Sequence, residues 1–253
     1  GCDDDTTLQI EVEGPVAEID LNPNAICPGG SIELNLLDTA DLVFWQFDFG
    51  DGNTGSNQWP TQHEYSPDFI PTTGSTVLTL VMFSEDSVCS AARTIDLIIE
   101  EVIADFARND ESSVLDSIHC FGIPDVFTNN SSPNANQFTW SFSFGDVYNS
   151  TEPPVQNLPV GNHTLELISE SALGCRDTIV KRMEIFPLPE ASVNGGVICQ
   201  GESILLIADG GETYEWSPDI GLDDPNSPIV NASPQNTVNY TVLVTDTNDC
   251  SSS

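Results

Sequence analysis

Cysteines are the residues of this 253-residue chain whose chemistry and spacing say most, and there are seven of them. None forms a CxxC pair, and only His63, His119 and His163 are at hand as imidazole ligands, so oxidation to disulfides in an oxidising compartment explains them better than zinc does. Six fall into pairs by spacing: Cys27 and Cys89 lie 62 apart, Cys120 and Cys175 55 apart, and Cys199 and Cys250 51 apart. A tryptophan follows each first cysteine by 17 to 20 residues (Trp45, Trp140, Trp216). The spacing predicts three repeats, each closed by its own bridge. Such a loop would restrict the unfolded chain by about 4 kcal/mol in the entropy model. The seventh, Cys2, sits in Gly1-Cys2-Asp3, which resembles Gly174-Cys175-Arg176, and it reads as the closing cysteine of a preceding repeat. Cys250 stands three residues from the last residue, where the earlier repeats run on into a strand, so the expectation is a piece of a longer protein.

Other chemistry finds little support. A Ser/His/Asp triad needs a histidine placed against a nucleophile and an orienting acid, and the three histidines occupy unrelated positions in their repeats. No phosphate loop, HExxH or GxSxG is present. No catalytic residue is assigned, and the chain reads as a non-enzyme. Forty acidic residues stand against five basic ones (Arg93, Arg108, Arg176, Lys181, Arg182), a formal charge of −35. That field repels phosphate backbones and anionic lipid, which argues against nucleic acid as a partner and against direct membrane insertion. It also keeps a surface soluble and neighbouring domains apart. Clustered carboxylates at repeat junctions, Asp3, Asp4 and Asp5 or Glu100, Glu101 and Asp105, are the candidates for a structural calcium. No stretch carries the alternating calcium-loop pattern, so no metal site or other cofactor is assigned.

The elements that must carry these residues are short strands. Ser31 to Leu37, Leu42 to Phe49, Val77 to Phe83 and Thr94 to Ile99 alternate or run apolar between Gly, Pro, Asn and Asp clusters. The second repeat gives Val102 to Ala107, Val126 to Thr128, Gln137 to Phe144, His163 to Ser169 and Thr178 to Phe186. The third gives Ala191 to Asn194, Ser203 to Ile207, Tyr214 to Trp216, Ile229 to Asn231 and Val238 to Thr245. This pattern predicts an all-β chain of tandem β-sandwiches. The expected division is a closing strand over 1–14, then sandwiches over 15–101, 102–187 and 188–253, the last cut short. Joints this short predict an elongated, semi-rigid array.

One phrase occurs twice, WQFDFGDG from Trp45 to Gly52 and WSFSFGD from Trp140 to Asp146. Period-two geometry turns Trp45, Phe47 and Phe49 to one face and Gln46 and Asp48 to the other. Tryptophans at this place, Trp45, Trp140 and Trp216, are expected in the core, beside an inter-sheet disulfide as in immunoglobulin-type packing. Gly50, Asp51 and Gly52 then make a tight turn, with positive φ from the glycines and side-chain hydrogen bonds from the aspartate. Turn chemistry accounts for Asp51 and an exposed strand face for Asp48, so the phrase reads as architecture rather than a metal site.

With His63-Glu64-Tyr65 and the strand TVLTLVMF, the phrase resembles the polycystic kidney disease (PKD) domain, an immunoglobulin-like sandwich common on bacterial surfaces. The likeness covers Pro15 to Glu101 well and Val102 to Phe186 fairly, since Val147 replaces the second turn glycine there. The third repeat lacks FGDG, and its WSPDIGL and ASPQNTVNYTVLVTDTNDC resemble Ig-like repeats of large adhesins and gliding-associated proteins of Bacteroidota exported by type IX secretion. That resemblance implies an extracellular or cell-surface place and a structural stalk or filament segment. Its partners would be neighbouring repeats, with surface polysaccharide or other copies of the chain behind them. A binding module contacting sugar through Trp59, Tyr148 or Tyr214 is one alternative, and an accessory domain of a secreted hydrolase another. Thr6, Thr39, Ser87, Ser117 and Thr178 lie in Asp-Ser/Thr-apolar triplets that resemble the Bacteroidota O-glycosylation acceptor.

Overall fold

The computed structural model describes residues 15, 17–37, 44–57, 61–84, 89–108 and 119–253, and among them every regular element is a strand. Period-two sequences make strands with one apolar face, and such faces are stable only when two sheets cover each other. In the first repeat the strands are β1 (Ile19–Asn22), β2 (Ala25–Ile26), β3 (Ser31–Leu36), β4 (Phe44–Asp48), β5 (Thr54–Ser56), β6 (Thr61–Glu64), β7 (Ser75–Phe83) and β8 (Ser90–Ile99). One sheet runs β1-β3-β6 and the other β2-β8-β7-β4-β5. The β2 strand alone lies parallel to its neighbour, with Ile26 opposite Ile99 of β8. Along β7 the side chains of Thr76, Leu78, Leu80 and Met82 are buried while those between them are not. Leu78, Leu80 and Met82 join Leu34, Phe47, Phe49, Tyr65 and Leu97 in the first core.

The second repeat supplies β9 (Phe106–Arg108), β10 (His119–Cys120), β11 (Phe127–Asn129), β12 (Ala135–Phe142), β13 (Val147–Tyr148), β14 (Gly161–Ser171) and β15 (Arg176–Phe186). Here the order is β10-β15-β14-β12-β13 over the pair β9-β11, and β10 again lies parallel to the last strand. Its core is aromatic: Trp140 meets Phe106 edge-on at 5.2 Å, and Phe127 and Phe142 complete it. The third repeat has β16 (Ser192–Val193), β17 (Ile204–Asp209), β18 (Thr213–Ser217), β19 (Ile229–Ala232), β20 (Thr241–Thr245) and β21 (Ser251–Ser252). Sheets β16-β17-β19 and β18-β20-β21 enclose Leu206, Trp216, Val230, Val242 and Val244.

The chain is all-β, built of tandem Ig-like sandwiches. Its contacts divide it into two compact units: one holds the chain up to Ile103 with 133–136 and 170–177, the other holds 104–132, 137–169 and 178–253.

Candidate functional site

Two local shapes carry the cysteines. Cys27, Cys120 and Cys199 each open a turn of sequence Cys-x-Gly-x, whose fourth N–H donates back to the cysteine carbonyl: Gly30 at 2.9 Å, Ile123 at 3.3 Å and Glu202 at 3.0 Å. The third position of such a turn needs positive φ, and Gly29 (77°), Gly122 (91°) and Gly201 (92°) provide it. Cys89, Cys175 and Cys250 occupy the other shape, closing the hairpin that leads into the last strand. There the carbonyl of Cys89 accepts from Ser84 N–H at 3.0 Å, that of Cys175 from Ser171 at 2.9 Å and that of Cys250 from Asp246 at 2.9 Å.

Bridges join a turn of one repeat to the hairpin of the next. Cys27 is bonded to Cys175 and Cys120 to Cys250, with Cα separations of 5.3 and 5.4 Å. This overturns the expected pairings Cys27–Cys89, Cys120–Cys175 and Cys199–Cys250, and leaves Cys89 and Cys199 as exposed free thiols. The parallel strand explains it. β2 sets Ile26 beside Ile99, at the far end of the ten-residue β8, whereas Cys89 precedes Ser90 at its start. Ten extended residues span about 30 Å, while a disulfide needs Cα atoms roughly 4.4–6.8 Å apart. In the second repeat Cys120 lies opposite Phe186 and Cys175 just ahead of Arg176, at the two ends of the eleven-residue β15.

Because the bridges lie in turns and hairpins, the immunoglobulin-type pairing of tryptophan with an inter-sheet disulfide is also overturned. Trp140 and Trp216 are buried among apolar side chains, and Trp45 is half-buried against the first core. The indole N–H of Trp140 donates to Ser150 O at 3.0 Å and that of Trp216 to Ser227 O at 2.9 Å, one solution used twice.

Each unit also holds polar contacts between residues far apart in the sequence. In the first unit, Asn134 Nδ2 donates to Glu100 Oε1 at 3.0 Å and to the Glu101 carbonyl at 2.8 Å. In the second, Arg108 Nε donates to Asp125 Oδ1 at 2.7 Å and a second guanidinium nitrogen also contacts that oxygen, in a pair only 5 % and 1 % exposed. His119, next to Cys120, has Nδ1 3.7 Å from the same carboxylate oxygen. The Cys-x-Gly-x tetrapeptides CPGG, CFGI and CQGE were the available signal for the turns. Nothing in the sequence marked Arg108 and Asp125 as partners.

Around Gly50, Asp51 and Gly52 the expected turn is present, with φ of 77° and 92° at the glycines. The Asp51 side chain is 5 % exposed; Oδ1 accepts from Asn53 N–H at 3.0 Å, and Oδ2 meets the Asn53 amide at 3.0 Å and His63 Nε2 at 2.8 Å. Burial pushes this carboxyl up, but the Asn53 hydrogen bonds and the His63 ring outweigh it and hold it below the ordinary aspartate value. His63 stacks on Phe49 at 4.0 Å and meets Tyr65 edge-on at 4.6 Å, and Tyr65 Oη donates to Phe49 O at 2.9 Å. Burial, then Asp51 and Asp48, push the Tyr65 phenol well up. The cluster ties the FGDG turn to the opposite sheet through β6. Asp48 Oδ1 accepts from Gly50 N–H at 2.9 Å, so both aspartates serve the turn.

The remaining candidates are dispersed. His163 Nε2 lies 2.7 Å from the Pro159 carbonyl. Tyr148 packs at the second core, and Tyr214 Oη donates to Gly211 O at 2.8 Å. Thr178 is exposed on β15, while Thr6, Thr39, Ser87, Ser117, Trp59 and Cys2, with Asp3 to Asp5, lie outside the described residues. Among the described residues no group of three His, Cys, Asp or Glu side chains is placed to hold a metal ion. Glu100 is engaged by Asn134, and Asp105 lies 2.8 Å from Lys181 Nζ. What the described arrangement can do chemically is form covalent links through thiols.

No protein-family model matches the chain, and no curated protein matches it. Solved structures similar to it include the three N-terminal domains of the highly immunogenic outer capsid protein of bacteriophage RB49, at 10 % identity over 94 % of this chain and 96 % of that one, with a TM-score of 0.45. A calcium-stabilised adhesin with which an Antarctic bacterium binds ice is similar at 9 % identity over 96 % of this chain and 72 % of its own, TM-score 0.35. The fibronectin(III)-like modules of CbhA from Clostridium thermocellum are similar at 11 % identity over 67 % and 95 %, TM-score 0.32. At these identities and scores the likenesses assign this chain no ligand and no partner.

Proposed function

We propose that the chain is a non-catalytic structural segment of an extracellular adhesin or fibre, three PKD- or Ig-like sandwiches divided near residues 101 and 187 that hold a binding element away from a cell. The observation that carries this reading is the pair of bridges. Each ties the turn of one repeat to the hairpin of the following one, which restrains how successive repeats move. Disulfides in these positions persist in an oxidising setting, which supports a place outside the cytoplasm. The strong acidity fits a surface that stays soluble and does not stick to its own copies sideways. A Bacteroidota surface protein carried by type IX secretion is the source that the repeat phrases favour.

Arrays of surface polysaccharides and oligosaccharides probed with the purified, oxidised chain test this reading. A spacer gives no saturable binding. Sugar-specific binding that is lost on Trp59→Ala overturns the spacer in favour of a binding module.

A further inference from the structure

The third repeat departs from the first at one sheet face. β3 and β17 both follow a Cys-x-Gly-x turn, and from the serine after each turn their sequences align as SIELNL and SILLIA. The inward positions are apolar in both, Ile32, Leu34 and Leu36 matching Ile204, Leu206 and Ala208. At the outward positions, Leu205 and Ile207 stand where the first repeat has Glu33 and Asn35. Glu33 accepts from Asn35 Nδ2 and from Gln62 Nε2, each at 3.3 Å, so that face of the first repeat is a polar network. The third repeat instead presents Leu205, Ile207 and Ile229, 51 %, 45 % and 50 % exposed, with Ile207 directly opposite Ile229 across the strand pair. A sheet with one face in water alternates apolar and polar side chains, whereas a strand apolar on both faces belongs to a sheet covered on both. Exposed aliphatic side chains gathered in this way mark a contact surface.

Charge says what covers it. From Leu188 to Ser253 the chain has ten Asp and Glu residues and no Lys, Arg or His. Asp209 follows Leu205 and Ile207 in the outward series of β17 and is exposed. Asp223, also exposed, stands beside β19, where its Oδ1 accepts from Asn231 N–H at 2.7 Å. A second copy of this repeat would set carboxylates against carboxylates, so the field selects a cationic partner. We propose that the outer β17-β19 face of the third repeat is a docking surface for a basic protein, one whose contact has aliphatic side chains at its centre and Lys or Arg around them. Leu205, Ile207 and Ile229 supply the area removed from water, and the surrounding carboxylates steer the approach and exclude acidic proteins. The segment is then an anchoring post for that partner as well as a spacer.

The probe is a synthetic peptide of alternating leucine and lysine, whose leucines share one face when it is extended. A peptide of alternating serine and lysine with the same charge is the control, and each is titrated into the full oxidised chain by calorimetry. General acidity binds both equally, whereas the proposed face prefers the leucine peptide. Leu205→Thr, Ile207→Thr and Ile229→Thr combined should weaken the leucine peptide by about tenfold or more and leave the serine peptide as it was. Threonine suits an exposed strand position, and methyl NMR of the parent chain needs no variant: shifts on adding the leucine peptide should centre on Leu205, Ile207 and Ile229. Equal binding of the two peptides, an unchanged leucine-peptide affinity in the variant, or shifts centred elsewhere overturns the proposal. So does a parent dimer in sedimentation that the combined variant abolishes, because the face would then take a second copy.

Discussion

Replacing Cys27 should destabilise the chain, and replacing Cys89 should not. The Cys27–Cys175 bridge closes 148 residues, for which the entropy model gives about 5 kcal/mol. If only the first core opens, the flexible stretch runs from Cys27 to the end of β8 at Ile99, which still gives about 4 kcal/mol. Relaxation of the native turn can only reduce these values. Cys27→Ser and Cys175→Ser should therefore each lose about 2–5 kcal/mol, and the double variant should lose no more than either, because one bond is removed in all three. Cys89→Ser removes an exposed thiol that bridges nothing, and it should fall within about 0.5 kcal/mol of the parent. Urea unfolding followed by tryptophan fluorescence without reductant measures all four. Pairing inside the repeat would give the opposite result, with Cys89→Ser as costly as Cys27→Ser and non-additive with it. That outcome would refute the argument from β8, because it would require two ends of one extended strand to meet.

Arg108→Met leaves Asp125 buried without its guanidinium, and the expected loss is about 3–5 kcal/mol; Arg108→Met with Asp125→Leu should recover much of it, as judged by urea unfolding. A double variant no more stable than Arg108→Met would show that the pair does not act as a unit. For Asp51, the folded carboxyl sits below its unfolded value of about 3.9, so its contribution is present above that pH and lost as pH falls through the folded value. The stability gap between parent and Asp51→Asn should accordingly shrink as pH falls below about 4; a gap that widens over that acidic range contradicts the sign.

Local physics was legible in this chain, and the relation between repeats was not. Strands such as β3, β4, β7, β14 and β20 were readable because burial alternates with period two along them, and β7 keeps that alternation over nine residues. The FGDG turn was readable because positive φ at Gly50 and Gly52 follows from residue type. The short strands β2 and β10 escaped notice, having two residues each and no period to detect. Yet these two strands decide the disulfides. By lying parallel to β8 and β15 they carry the turn cysteine to the end of the sheet opposite the hairpin cysteine, so the chemistry must be completed by another repeat. Spacing of 51 to 62 residues suits an immunoglobulin-type bridge between facing strands, and it suits equally a turn and a hairpin at opposite ends of one sandwich. What separates the two is whether the first cysteine opens a Cys-x-Gly-x turn. The glycine two positions after Cys27, Cys120 and Cys199 answers that in favour of the turn, since each takes the positive φ that a turn of this kind requires. The same tripeptide is therefore the feature by which bridges between repeats, rather than within them, become recognisable in chains of this build.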